Sequence, residues 1–199
     1  MLIPKVLDNR SKLIIAVAFT VWLTVLACTV SVKDKGQGDS NKVDIETPVG
    51  GLHVNEEADV RDIGLAVYPG ARQKPKTKEG DSKSANVNVS SSFFGLKVVA
   101  IEYESDDSPG KVVAFYHDQL KKFGNVIQCR TDEHLGDLNV EIGKHGSEEV
   151  KCQGDNSGKI VELKVGTTDN QRLVSVEPSG KGSDFALVYI RARGKEGTI

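Results

Sequence analysis

Residues 96–124 read LKVVAIEYESDDSPGKVVAFYHDQLKKFG, and the period of their apolar residues changes partway along. In residues 96–104, Val99, Ile101 and Tyr103 take alternate positions with Lys97 at the edge of the same face. That is the spacing of a strand with one buried face. After Asp106-Asp107-Ser108 the spacing lengthens, and Val112, Tyr116, Leu120 and Phe123 follow at intervals of four, four and three, with Phe115 widening the stripe. This is a helical period. Pro109 suits a first turn, where its missing N–H costs nothing, and Ser108 is placed to cap it. Lys121 and Lys122 suit the negative end of the helix dipole, and Gly124 is placed to close the helix in the left-handed conformation.

Outward from this strand and helix the text is strand-like on both sides. Upstream, residues 85–89 alternate Asn with Val, and Ser90-Ser91-Ser92-Phe93-Phe94-Gly95 reads as a hairpin connection into residues 96–104. Downstream, residues 125–130, 149–153, 160–166, 172–177 and 185–193 read as strands. The turns Asp155-Asn156-Ser157-Gly158, Thr168-Asp169-Asn170 and Ser179-Gly180-Lys181-Gly182 favour antiparallel hairpins between them. Phe185, Leu187 and Tyr189 fall on one face of the last strand while Ala186, Val188 and Ile190 fall on the other, so an interior strand is expected there. The expectation is an α+β fold, a mainly antiparallel sheet with one principal amphipathic helix packed on a face.

Nearer the N-terminus, the apolar residues 63–68 run into Pro69-Gly70, the central pair of a type II turn. Residues 72–83, RQKPKTKEGDSK, read as an exposed loop, with Glu79 and Asp81 diluting the basic residues. Residues 43–60 carry apolar side chains, but Pro48 and Gly50-Gly51 interrupt any periodic run.

The first part of the chain addresses a membrane. Lys5, Arg10 and Lys12 precede the uncharged residues 13–32, with Cys28 near their end. The order basic then apolar is that of a secretion signal. Twenty uncharged residues can also cross a bilayer as a helix. Either way, the positive charges hold the N-terminus in the cytoplasm and send the rest to the other side. Val25-Leu26-Ala27-Cys28 resembles a bacterial lipoprotein processing box, which makes Cys28 the expected lipidation site, with an uncleaved anchor as the alternative. Residues 33–42, KDKGQGDSNK, bury nothing. The expected organisation is a targeting or anchoring segment at 1–28, a flexible tether at 29–45 and an extracytoplasmic domain at 46–199.

Three cysteines are an odd number for an oxidising compartment. Lipidation would employ Cys28 and leave Cys129 and Cys152 as a disulfide, closing a loop worth about 3 kcal/mol. No CxxC element supports a zinc ribbon or a thioredoxin site.

Tyr68-Pro69-Gly70-Ala71, Asp106-Asp107-Ser108-Pro109, Val112, Phe115-Tyr116, Leu120 and Gly124 together resemble a set of uncharacterised bacterial exported proteins and lipoproteins. In that set a YPGA turn precedes a strand, and a DSPxxVxxFYxxxLxxxG helix follows. The resemblance spans residues 63–129, with Gly110 where a better helix former is usual, and it implies a fold and an envelope location without implying a chemistry.

A net charge of −2 and only 6% aromatic residues lack the basic field and stacking surface of a nucleic-acid binder. The chain contains no GxSxG, HExxH, GxxxxGK[ST] or GxGxxG. Ser108-Pro109-Gly110-Lys111 matches the S-x-x-K of penicillin-recognising enzymes but lacks their S-D-N and K-T-G partners, so Ser108 is read as a cap. Asp132, Glu133, His134, His145, Glu148 and Glu149 carry donors that suit a divalent metal, yet the ten residues between the histidines give no helical ligand spacing. His117 follows Tyr116 toward the solvent side of the helix, and His53 has no evident partner in the sequence. The expectation is a noncatalytic, cofactor-free module that contacts the membrane through its N-terminal segment and binds an envelope protein partner. The alternative is a small-ligand or metal-binding exported domain using His134 and His145.

Overall fold

A computed structural model of the protein describes residues 29–33, 42–55, 57–75, 84–132 and 148–194. The expected N-terminal membrane-targeting helix lies outside these residues. Within them the chain is mostly antiparallel sheet with a few short helices.

The strands are β1 (Thr29–Lys33), β2 (Lys42–Thr47), β3 (Gly50–Asn55), β4 (Arg72–Gln73), β5 (Ser84–Ser91), β6 (Phe94–Ser105), β7 (Ile127–Thr131), β8 (Ile160–Thr167), β9 (Asn170–Ser179) and β10 (Gly182–Gly194). The short helix α1 (Val60–Ile63) precedes β4, and α2 (Pro109–Leu120) runs into a 3₁₀ turn, Lys121–Phe123. The order across the sheet is β1-β2-β3-β5-β6-β10-β9-β8-β7, with β4 on β6 beyond the end of β5. Every pairing is antiparallel.

This order follows from two long connections, β6 to β7 through α2 and β7 to β8 through residues 132–159. From β6 the chain rises into α2, crosses to the far edge as β7, and returns by two tight turns through β8 and β9 until β10 pairs with β6. The helix consequently lies over β8, β9 and β10. Val112, Tyr116 and Leu120 are fully buried there against Leu163, Val165, Val174, Val176, Phe185 and Leu187. Phe123 is only half-buried; the Arg172 guanidinium stacks on its ring at 3.7 Å and on Tyr189 at 4.6 Å. From there Arg172 donates through Nε to the carbonyl of Ile63 at 2.8 Å. One cation thus joins the end of α1, the end of the helix and the sheet.

Strand β10 is interior, as its two apolar faces require: Phe185, Leu187 and Tyr189 join the core under α2, while Ala186, Val188 and Ile190 form a second cluster with Leu173. Glu162 and Lys164 are also buried, with an ion pair at 3.9 Å.

Several expectations are corrected. The stretch read as a tether, 29–45, holds β1 and most of β2, which pair from Thr29↔Glu46 to Lys33↔Lys42. Alternating Val30 and Val32, then Val43 and Ile45, give both segments strand periodicity. Residues 149–153 form no strand and make only the bridge Glu149↔Thr167. The reason is competition: β7 already occupies the edge of β8 from Ile160 to Lys164, leaving little of it free. Gly124 has φ 137 and ψ −159, outside the left-handed helical region. The 3₁₀ turn closes the helix, through Gly124 N–H to the Lys121 carbonyl at 3.3 Å, and the glycine then leads into an extended exit. At Pro69-Gly70 the expected turn forms, with Gly70 at φ 77 and Ala71 N–H donating to the Tyr68 carbonyl at 3.0 Å.

Candidate functional site

The two ends of the sheet carry different chemistry. At the end where α2 begins, the Tyr68 turn meets the Asp106-Asp107-Ser108 corner. Burial of the Tyr68 ring orients its hydroxyl, which donates to Asp107 Oδ2 at 2.9 Å, while Lys111 Nζ donates to Asp107 Oδ1 at 2.6 Å. Beside them Arg72 donates to Glu104 through Nε and to both oxygens of Asp106, each at 3.0 Å. Beneath, the Tyr116 hydroxyl accepts from the backbone N–H of Tyr68 at 3.0 Å. Tyr68, Tyr103, Phe115, Tyr116 and Phe185 pack ring against ring around this bond, with centroids 5.0 to 6.4 Å apart.

The electrostatics follow from these contacts. Lys111 and Tyr68, both donating to it, hold the Asp107 carboxyl below the usual carboxylate range. Arg72 does the same for Asp106. Burial, then Asp107, pushes the Tyr68 hydroxyl up, and burial raises the Tyr116 hydroxyl further. Each group is thereby fixed in its resting protonation state. The network is a clasp that fastens the turn to the helix start.

The clasp makes a pH prediction. A carboxyl whose folded pKa lies below its unfolded value of about 3.9 stabilises the fold above that value and loses the contribution as pH falls through the lower one. Asp107→Asn should therefore melt below wild type at neutral pH, with the gap closing as the solution is acidified through the carboxylate range. Thermal melts of the full chain in detergent over a pH series would read this. A gap unchanged by pH would assign the effect to shape and not to charge.

Ser108 occupies the N-cap position with φ −64 and ψ 150, but its hydroxyl makes no capping bond; its carbonyl accepts from Lys111 N–H at 3.0 Å. Lys111 is directed to Asp107, so the S-x-x-K residues are not assembled as nucleophile and base. Cys129 and Cys152 are brought together, with sulfurs at disulfide distance, 2.02 Å, and Cα atoms 5.4 Å apart. Cys28, His134 and His145 lie outside the described residues. Of the carboxylates grouped with those histidines, Glu148 pairs with Lys151 at 2.9 Å. Among the described residues no group of three or more His, Cys, Asp or Glu is arranged to hold a metal ion.

His53 does have partners. Its Nδ1 lies 2.9 Å from Asp44 Oδ1 and its Nε2 lies 3.4 Å from Glu46 Oε1, across the β2–β3 hairpin. The signal was the Thr47-Pro48-Val49-Gly50 turn, which fixes a register opposing Asp44 to His53.

The opposite end of the sheet is apolar and basic. Val49, at the β2–β3 turn, is 68% exposed, and Phe93 and Phe94, at the β5–β6 turn, are 74% and 41% exposed. The two turns are adjacent, since Gly50 pairs with Ser91 and Ser92 N–H approaches the Val49 carbonyl at 3.4 Å. An open groove of about 630 Å³ runs from Phe93 and Phe94 past Lys97, Arg191 and Arg193.

No family model matches the chain, and no match is found among curated proteins or solved structures.

Proposed function

We propose that this chain is a membrane-tethered extracytoplasmic protein that serves as a noncatalytic interaction module of the cell envelope. The observation that carries the reading is where the sheet begins. Strand β1 starts at Thr29, directly after Cys28. With residues 29–33 committed to pairing, the uncharged run left for a helix is 13–28. As a helix it would measure about 24 Å, short of a hydrocarbon core of about 30 Å. That length suits the apolar core of a cleaved signal better than a spanning anchor, and so favours lipidation at Cys28. Among the described residues no helix is long and apolar enough to cross a membrane.

Two further points support it. A cysteine pair at disulfide distance suits an oxidising compartment, and the Tyr68 turn with its Asp107 helix resembles exported proteins. The noncatalytic part rests on the polar groups of the clasp, which are engaged with one another.

A second reading, ligand binding beside the Cys129–Cys152 pair, is favoured by a cleft of about 220 Å³ lined by residues including Glu148, Lys151, Lys164 and Gln171.

Mass spectrometry of the mature protein tests the tether. A lipid-modified cysteine at its N-terminus is expected, with Cys28→Ala accumulating as a longer precursor. An intact Met1 N-terminus with unmodified Cys28 would transfer the reading to an uncleaved anchor.

A further inference from the structure

We propose that the Val49, Phe93 and Phe94 end of the sheet is a foot that seats the domain on an anionic phospholipid surface, its apolar side chains entering the interface while Arg191 and Arg193 bind lipid phosphates. This rests on the tethered reading above and adds an orientation and a lipid class to it.

The first support is placement. The exposed large apolar residues among the described ones are Val49, Val67, Phe93 and Phe94, and three of these four share one end of the sheet. A single exposed apolar residue is ordinary, whereas several at one tip mark a contact surface. Strand β1 enters at that same end, because Thr29 pairs with Glu46 just before the Val49 turn. Thr29, the residue that follows Cys28 in the chain, therefore lies at the foot's end of the sheet. Neighbouring strands lie about 4.8 Å apart, so the two turns are a few strand spacings from the point where the chain enters the sheet.

The second support is charge. Arg191 faces Lys97 across the β6–β10 pair and Arg193 faces Gly95, so all three basic residues sit just behind Phe94. Lys97 is engaged by Asp62 at 3.2 Å. Arg191 and Arg193 are exposed, and neither has an ion-pair partner among the described residues. Of the acidic residues of this end, Asp44 and Glu46 flank His53 at 2.9 and 3.4 Å, and Asp169 accepts from the Thr167 hydroxyl at 2.6 Å. Arg191 and Arg193 thus present two exposed guanidinium groups behind two phenyl rings. Aromatic rings settle at the bilayer interface, and each nearby cation gains from anionic headgroups. An arginine fork also binds phosphate oxygens in pairs.

Site-specific tryptophan fluorescence tests the foot in the full chain reconstituted into vesicles. Trp22 is the single tryptophan, so Trp22→Phe supplies a silent background. On it, Phe93→Trp places a probe in the foot and Lys181→Trp places one in the β9–β10 turn at the far end. In vesicles of phosphatidylcholine and phosphatidylglycerol carrying brominated acyl chains, quenching at 93 and none at 181 is expected. Omitting phosphatidylglycerol, or introducing Arg191→Gln with Arg193→Gln, should weaken that quenching while leaving the melting temperature unchanged. An unquenched probe at 93 in a chain that resists carbonate extraction would overturn the foot and leave the tether standing. Quenching equally strong without phosphatidylglycerol would overturn the phosphate assignment. If carbonate released the chain, the tether would fail, and the same probe with vesicles added from outside would decide the foot, quenching supporting it and its absence overturning it.

Discussion

Leu120→Ala should destabilise the protein by about 2 to 5 kcal/mol, the range for truncating a fully buried leucine where neighbours cannot collapse into the space. Leu120 is fully buried at the end of α2, and the surrounding residues belong to three different strands. A rigid sheet on one side and the helix on the other leave little room to relax. Lys121→Ala, one residue on and exposed, removes an ion pair with Asp118 at 3.2 Å and should change stability by less than about 1 kcal/mol. Urea titration of both variants in detergent separates the cases. Equal midpoints would mean that the apolar stripe is not the packed face of the helix, and the stripe would become a recognition surface instead.

Reduction of the Cys129–Cys152 pair should cost about 3 kcal/mol, because a bond between residues 23 apart withdraws much of the freedom of that loop from the unfolded chain. Cys129 is buried on β7, the edge strand, while Cys152 lies in an exposed segment without strand pairing. The cysteines thus clip a weakly held segment to a weakly held edge. Denaturant midpoints with and without reductant should differ accordingly, and thiol labelling of the unfolded, unreduced protein should find neither sulfur available. Labelling of both would show that the thiols are free in the isolated protein.

How much of this was readable before folding depended on how local the cause was. Strands β5, β6, β8, β9 and β10 and the helix α2 announce themselves through side-chain period, because each buries a face. The hairpins after β8 and β9 are equally local. By contrast, β1 to β3 are short, the period of β1 and β2 covers only two apolar residues each, and Pro48 and Gly50-Gly51 interrupt the text around the start of β3. The clasp was invisible for another reason: Tyr68 and Asp107 are 39 residues apart, and nothing in either segment specifies the other. The foot was read merely as a hairpin connection, since a sequence shows that Phe93 and Phe94 sit in a turn but not that Val49 and two arginines arrive beside them.

The strand order also sets a schedule. A chain made from its N-terminus presents β6 long before its inner partner, because β10 spans Gly182–Gly194, near the C-terminus. Until then the middle of the sheet is an open edge, and β1 to β6 form a half-sheet with an unsatisfied flank on β6. Such a flank invites pairing with foreign strands. A nascent molecule interrupted between β9 and β10 is left in two halves, each able to form hairpins and neither able to close. Losing β10 would thus remove the seam of the molecule, which makes the last of the described strands to be synthesised the most consequential one for quality control.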